Sequence, residues 1–327
     1  REPLPTHPRD EAVKALVTGA AGFVGRHMVR ALCSRGWEVD GIDVQDHAGD
    51  PTVDGGWYCH VTGDALEAFR ASWATKQYDL VVHAAAAEPH RASIDGKPML
   101  LATNLHLDAA MFEWAVRTEQ RRVLYLSSSA AYPVRLQTDE FQKFVGAPYR
   151  LRERDINHTQ WGKTGDWSPD ANYGWTKLTG ERMALAAAET GLPVHIVRPF
   201  SGYGEDQSLD FPFPAIVDRA RRGDLTVWGP PGQTRDWIHI SDVVNGALAV
   251  VDNDERRPVN LCTGIGTEMG DLAREVALAA GICSDFRVTY LEDKPTGVMY
   301  RVGDPTRMRE HYTATISIQE GVRRARG

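Results

Sequence analysis

The sequence predicts an α/β protein, a Rossmann-type doubly wound parallel sheet with a smaller C-terminal substrate-binding lobe. Three observations carry this. Short apolar runs alternate with helical patterns over residues 14–199, as in βαβ units whose crossovers lay helices on both faces of a parallel sheet. The first apolar run meets a glycine-rich turn that opens a helix, Thr18-Gly19-Ala20-Ala21-Gly22-Phe23-Val24-Gly25. After Pro199 the texture shifts to Gly, Pro and aromatics in SGYG, FPFP and WGPPG. That texture suits a lobe over the carboxyl ends of the strands, where open α/β sheets bind ligands.

The elements follow in order. KALVT (14–18) is the first strand, and Phe23–Arg35 is its helix. WEVDGID (37–43) and WYCHV (57–61) are the next two strands, followed by a helical stretch over 64–74. DLVVHAA (79–85) leads to a long helix over 99–117, and RRVLYLSS (121–128) to a helix over 172–190 and the strand VHIVRP (194–199). Beyond these, strands are expected at 225–229, 259–262 and 287–291, and helices at 241–251 and 270–280. Residues 1–13 read as a flexible lead-in, 14–199 mainly as an NAD-binding domain, and 200–327 mainly as a substrate lobe with some elements returning to the sheet. The stretch 133–171 is long for a connection. It reads either as a substrate lid with an aromatic wall or as a solvated surface excursion.

Composition narrows the function. A chain of 327 residues, 42% hydrophobic and 25% charged, can bury a sizeable core, which excludes wholesale disorder. Thirty-seven Lys+Arg against 44 Asp+Glu leave a net charge of −7, without the basic excess of a nucleic-acid binder. No run of 18 apolar residues is present, so no membrane span is expected. REPLPTHPRDEAVK has no apolar signal-peptide core, and a soluble, cytoplasmic protein is expected. Cys33, Cys59, Cys262 and Cys283 form no CxxC or CxxH spacing. They read as free thiols, with no metal site.

The turn after the first strand has the spacing GxxGxxG. Gly19 permits the tight turn, Gly22 lets backbone approach a pyrophosphate, and Gly25 lets helix and strand pack closely. The helix N-terminus offers N–H groups and a partial positive charge to phosphate. A purely structural turn is the alternative. Asp43 stands 18 residues beyond Gly25 at the end of the second strand. A carboxylate there accepts hydrogen bonds from both ribose hydroxyls and repels a 2′-phosphate, which favours NAD over NADP.

Tyr173-Gly-Trp-Thr-Lys177 places a phenol and an ammonium at i, i+4 on one helix face. An ammonium beside a phenol favours the phenolate and readies it for proton exchange. Ser127-Ser128-Ser129 ends the fifth strand, and Ser128 can donate to a substrate oxygen that gains negative charge. A surface Tyr–Lys pair and a strand-end serine turn are the structural alternatives.

TGAAGFVG, HAAA (83–86), Asn104, LSSSAAYP (126–133), YGWTK, RPF (198–200), RDWIHISDV (235–243) and YRVGDP (300–305) occur in that order. Together they resemble the extended short-chain dehydrogenase/reductases, the nucleotide-sugar epimerase and dehydratase family, over roughly residues 14–325. The resemblance implies a role for each matching position. Gly19, Gly22, Phe23, Val24 and Gly25 would line the pyrophosphate, and Asp43 would hold the adenosine ribose. His60 and Val61 would lie near the adenine, Ala84 and Ala85 along the cofactor, with Asn104 in support. Tyr173 would be the acid/base and Ser128 its hydroxyl partner. Lys177 would hold the nicotinamide ribose, and Pro199 and Phe200 would approach the nicotinamide. Arg235 and Arg301 would grip the nucleotide diphosphate, with Glu88, His90, Ser129 and Ser201 as further substrate contacts. Helices 99–117 and 172–190 are those the family pairs in homodimers.

The departures are informative. His60 stands where family members often carry Asp, and Ser201 where many carry Asn. The 4,6-dehydratases place an Asp-Glu pair directly after the catalytic hydroxyl residue; Ser129 and Ala130 stand there, which argues against dehydration. The texture is nearest to GDP-mannose 3,5-epimerases, in YP after the serines, WGPPGQTR (228–235) and PTGVMYR (295–301). Those enzymes use a Cys near the position of Ala130. The expected activity is epimerisation of a nucleotide-diphosphate sugar at C4, by hydride transfer to tightly held NAD and back. A keto-sugar reductase or oxidative decarboxylase of the same fold stays open, as does a non-catalytic NAD sensor.

Overall fold

The computed structural model describes residues 12–46, 57–70, 75–87, 97–158, 167–282, 287–294 and 296–325. Glu88, His90 and Cys283 lie outside them. Six strands come first: β1 (Lys14–Thr18), β2 (Glu38–Asp43), β3 (Trp57–Thr62), β4 (Leu80–His83), β5 (Val123–Leu126) and β6 (Val194–Pro199). Helices α1 (Phe23–Ser34), α2 (Ala65–Arg70), α3 (Leu100–Arg117), α4 (Asp139–Val145) and α5 (Ala171–Glu189) are interleaved with them. The second part holds β7 (Ser201–Tyr203), α6 (Pro212–Arg221), β8 (Thr226–Trp228), β9 (Thr234–His239), α7 (Ile240–Asp252), β10 (Val259–Leu261), β11 (Gly266–Glu268), α8 (Met269–Ala279), β12 (Thr289–Leu291), β13 (Tyr300–Arg301), α9 (Thr306–Arg309) and α10 (Ile318–Arg324).

The main sheet has seven strands in the order β10-β6-β5-β4-β1-β2-β3. The registers of β1 with β2 and β4, of β2 with β3, of β4 with β5 and of β6 with β10 are all parallel. This is the expected doubly wound sheet. A strand covered on both faces is apolar along its length. β4 and β5 are buried at every position, whereas β3, at the edge, is half-exposed or exposed throughout. A four-stranded sheet runs β11-β9-β13 with β7 also on β9, and β12 pairs β8. No helix among the described residues is long and apolar enough to cross a membrane.

The chain divides into two compact units. One comprises residues 1–86, 106–125 and 183–195, and the other 87–105, 126–182 and 196–327. In the first unit, α1 buries Met28, Val29, Leu32 and Cys33 on one face. In the second, Tyr203, Phe213, Trp237, Leu272 and Val276 centre one core. Tyr132, Leu136, Leu151, Phe200 and Cys262 form a smaller one. That smaller core takes in part of the long connection. Leu151 bridges to Gly303, and Phe141 and Tyr149 pack against the cluster. These residues of 133–171 are therefore folded into the second unit, not a solvated excursion.

The sequence reading assigned no helix at Pro212–Arg221. Pro212 is in its first turn, where the missing N–H costs nothing, so FPFP marks a helix start within the Gly-, Pro- and aromatic-rich texture. The helix expected over 64–74 is observed as Ala65–Arg70, with residues 71–74 outside the described set.

Candidate active site

In the first unit the glycine turn is built from backbone. Gly19 has φ +69° and donates its N–H to the Ile42 carbonyl at 2.8 Å. A Cβ on Gly19 would lie 2.7 Å from the Ala85 backbone. A Cβ on Gly25 would run into the Gly19 carbonyl oxygen. Gly22 precedes α1, and no side chain caps that helix, so the turn leaves the N-terminus of α1 to backbone groups. Phe23 and Val24 form its first turn. Asp43, half-buried at the end of β2, accepts from the Ala21 N–H at 3.0 Å and from the Gln45 N–H at 3.0 Å. The carboxylate expected at a ribose thus also ties the glycine turn to the second strand.

The neighbouring predicted residues lie on the same unit. His60 sits 2.9 Å from the Tyr58 hydroxyl and 3.1 Å from the Gln45 carbonyl, and Val61 follows it on β3. The Ala84 N–H donates to the Thr18 carbonyl, and the Ala85 N–H to the Thr18 hydroxyl at 3.3 Å. Behind them is a buried polar chain that sequence reasoning missed. Thr18 Oγ1 lies 2.9 Å from His83 Nδ1, and His83 Nε2 lies 3.1 Å from Asp108. The Tyr125 hydroxyl donates to the same carboxylate at 2.6 Å. The signal was in HAAA, where a buried His needs partners. A side-chain-free cradle, an uncapped helix start and a carboxylate at the next strand end fit a dinucleotide's pyrophosphate and ribose.

In the second unit the three serines have three fates. Ser127 is buried and donates to Glu181 at 2.5 Å. Ser129 is buried. Ser128 is half-exposed and caps the short 3-10 turn Ser129–Ala131, its Oγ accepting from the Ala130 N–H. It is the hydroxyl of the three with an open side.

Tyr173 and Lys177 stand on α5, the phenol half-exposed and the lysine buried, with Nζ 5.9 Å from the Tyr173 ring centre. The YxxxK pair is thus partly buried and not a loose surface pair. Gly174 explains how α5 reaches the serines: a Cβ there would lie 2.5 Å from the Ala130 carbonyl oxygen. The same oxygen accepts from the Asp170 N–H at 3.0 Å. Ala171 enters the helix with φ +55°, a conformation L side chains adopt at some cost. A shallow open pocket is lined by Asn172, Tyr173 and Thr176 of α5 and by Leu100 and Asn104 of α3, among others. Asn104 is buried and clamps Ala87, accepting from its N–H at 2.7 Å.

Beneath the serines is a buried ion pair. Arg198 meets Glu181 with Nε and Nη2, at 2.8 and 2.7 Å, and gives Nη1 to the Tyr132 hydroxyl and the Glu153 carbonyl. His158 lies 3.1 Å from the second Glu181 oxygen. Burial alone would push the Glu181 carboxyl up. The Arg198 charge and the Arg198, His158 and Ser127 hydrogen bonds outweigh it, and bring the carboxyl from 4.5 down to about 2. Glu181 joins α5 to the serine turn and to the RPF strand, and its role was not read from the sequence. The signal was its place one turn beyond Lys177 on a helix whose partner strand carries a buried Arg.

The remaining predicted residues scatter. Pro199 ends β6, and Phe200 is buried in the Tyr132 core. Ser201 opens β7, half-buried. Arg235 and Arg301 are register partners on β9 and β13 and both are buried. Arg235 Nη1 donates to the Thr234 carbonyl at 2.8 Å. Among the described residues, one group could ligate a metal, Glu255, Glu310 and His311. The Arg257 guanidinium already donates to both carboxylates, an ion-pair cluster in place of a metal site.

A family model, the NAD dependent epimerase/dehydratase family, matches residues 15–262. The chain belongs to this family. As a member it is NAD-dependent, and the glycine cradle and Asp43 of the first unit are the residues suited to NAD. The family's members differ in chemistry. A UDP-N-acetyl-alpha-D-glucosaminuronate decarboxylase of Bacillus cytotoxicus is 27% identical over 81% of this chain and 78% of its own. A dTDP-glucose 4,6-dehydratase of Streptomyces niveus is 26% identical over 86% of this chain and 82% of its own. A solved UDP-glucose 4-epimerase of Thermotoga maritima, with UDP-glucose, shares the fold with a TM-score of 0.76. It covers 96% of this chain and 97% of that one at 21% identity.

Proposed function

We propose that this protein is a nucleotide-sugar epimerase that inverts a hexose carbon, C4, through a transient keto-sugar. The observation that carries the reading is the side-chain set of the second unit. Ser128 has an open side, Tyr173 and Lys177 share a helix face, and the two positions after Ser128 hold no acid. Loss of water needs a proton donor at the leaving hydroxyl and a base at the adjacent carbon. Ser129 and Ala130 are buried and offer neither. A set that can only make and unmake a ketone suits a redox-neutral inversion.

NAD, when bound, supplies the hydride acceptor and returns the hydride. The chain's own residues do the rest. Tyr173, as phenolate, takes the proton from the sugar hydroxyl and later gives it back. Lys177 holds its ammonium near the phenol ring and would bind the nicotinamide ribose. Ser128 donates to the ketone oxygen and steadies its charge. Gly19, Gly22, Phe23, Val24 and Gly25 would hold the pyrophosphate, Asp43 the adenosine ribose, and Ala84 and Ala85 the path between. Arg235 and Arg301 would bind the sugar nucleotide's diphosphate, whose binding energy positions the reacting carbon.

Mass spectrometry tests this with UDP-, GDP- and dTDP-hexoses incubated in D2O with the enzyme and no added cofactor. A new isomer of unchanged mass is the expected outcome. An isomer gaining deuterium would place the chemistry at a carbon beside the ketone, as in 3- or 5-epimerisation. Loss of water or carbon dioxide would sink the epimerase reading.

A further inference from the structure

Asp170 sits where three parts of the second unit meet. Its N–H donates to the Ala130 carbonyl in the serine turn at 3.0 Å. Its own carbonyl accepts from the Gly174 N–H at 2.9 Å, in the helix turn that carries Tyr173. Its carboxylate accepts from Arg301 Nη2 at 2.8 Å. The segment before it is fixed, since Val134 donates to the Ser168 carbonyl at 2.9 Å and Pro133 bridges to Pro169.

Arg301 is held just as firmly from one side. Its Nε donates to Gln137 at 2.6 Å. Gln137 is fully buried and spends its amide N–H groups on the Tyr132 and Pro133 carbonyls. The Nη1 edge of Arg301 makes no hydrogen bond among the described residues. Arg235 lies beside it in register on the next strand. Two buried guanidinium groups at paired register positions bring positive charge together there, which suits an anion.

The geometry points to Asp170 as a positioning residue that fixes Arg301 for a diphosphate and ties that anion site to the turn bearing Tyr173. This rests on the reading of the protein as a nucleotide-sugar enzyme. It adds that occupancy of the diphosphate site and placement of the phenol are coupled through one residue. A carboxylate fork on guanidinium is a directional contact, so its loss leaves Arg301 free to turn away from the anion.

Calorimetric titration of the NAD-loaded protein with UDP, GDP and dTDP tests it, using wild type, Asp170→Asn, Asp170→Ala, Arg301→Ala and the Asp170→Ala/Arg301→Ala pair. The nucleoside diphosphate that binds wild type should bind Asp170→Ala roughly tenfold more weakly. Asp170→Asn, which keeps an acceptor but not the charge, should fall between the two. The double variant should bind no worse than Arg301→Ala alone, because Asp170 acts through Arg301. In turnover, Asp170→Ala should lose in both KM and kcat, while Arg301→Ala loses mainly in KM. A merely structural role would lower NAD content and thermal midpoint and leave the double variant additive, and that result overturns the proposal. Equal diphosphate affinity in wild type and Asp170→Ala overturns it as well, with the functional reading intact. If none of the three diphosphates binds wild type, the functional reading falls and this coupling with it.

Discussion

The two units build their halves of the chemistry in opposite ways. The cofactor end of the first unit is made by what is missing: without a Cβ at Gly19 and Gly25, backbone packs where a methyl group would clash, and the helix start is uncapped. The catalytic end of the second unit is made by what is present. Ser128, Tyr173 and Lys177 are the groups proposed to act there, and the buried network of Glu181, Arg198, Ser127 and His158 ties α5 to the serine turn and to β6. A backbone site recognises a shape common to all dinucleotides, so it tolerates little and varies little. A side-chain site sets the reaction, so exchange of one or two groups redirects it. Decarboxylase and dehydratase relatives at similar identity are what this division allows.

The largest effect expected from breaking one half and sparing the other is on turnover. Tyr173→Phe removes one oxygen from a half-exposed ring and touches neither the glycine cradle nor the buried ion pair. Its kcat should fall roughly 10²–10⁴-fold, the usual contribution of a positioned acid/base. Bound NAD, read by absorbance after denaturation, should match wild type. Loss of NAD together with activity would mean that the two halves are not separable in this way.

The sequence made the first half legible and only the face of the second. Gly19, Gly25 and Asp43 announce themselves because backbone crowding permits few alternatives at fixed spacing. The central strands β4 and β5 are legible for a similar reason, being buried at every position and therefore short apolar runs. Tyr173 and Lys177 follow from helical period. Glu181, Arg198, His158 and Asp170 do not, because their partners lie far off in sequence and no local pattern pairs them. The four-stranded sheet escaped for the same reason. Gly202, Thr234 and Gly266 belong to strands that gain their stability from each other across the chain and carry weak alternation of their own.

Glu181 gives the second prediction, one of stability. Glu181→Gln leaves the Arg198 charge buried without its partner. Breaking such a pair from one side costs about 3–5 kcal/mol, read as a lower urea midpoint at neutral pH. The pH dependence has a definite sign. The folded carboxyl is held at about 2, below its ordinary 4.5. Its contribution is therefore complete above 4.5 and is lost as pH falls toward 2. Wild type should lose stability across that window more steeply than Glu181→Gln. Equal slopes would mean that Arg198 does not hold the carboxylate charged.

The smallest expected effect sharpens the comparison from the other side. Gly25→Ala adds one methyl group where the Gly19 carbonyl oxygen already stands, with the Gly19 carbonyl carbon 2.7 Å away. Both neighbours are backbone, so neither can turn aside as a side chain would. The turn must open, at about 1–3 kcal/mol of stability. The same shift moves the start of α1 from the place proposed for the pyrophosphate. Gly25→Ala should then retain less NAD at purification and regain it only at higher added NAD. Its kcat at saturating NAD should stay within a few-fold of wild type, because the added methyl lies in the first unit and removes no side chain of the second. A large fall in kcat at saturating NAD would instead mean that the glycine cradle also sets the geometry of the reaction, and the two halves would have to be read as one site.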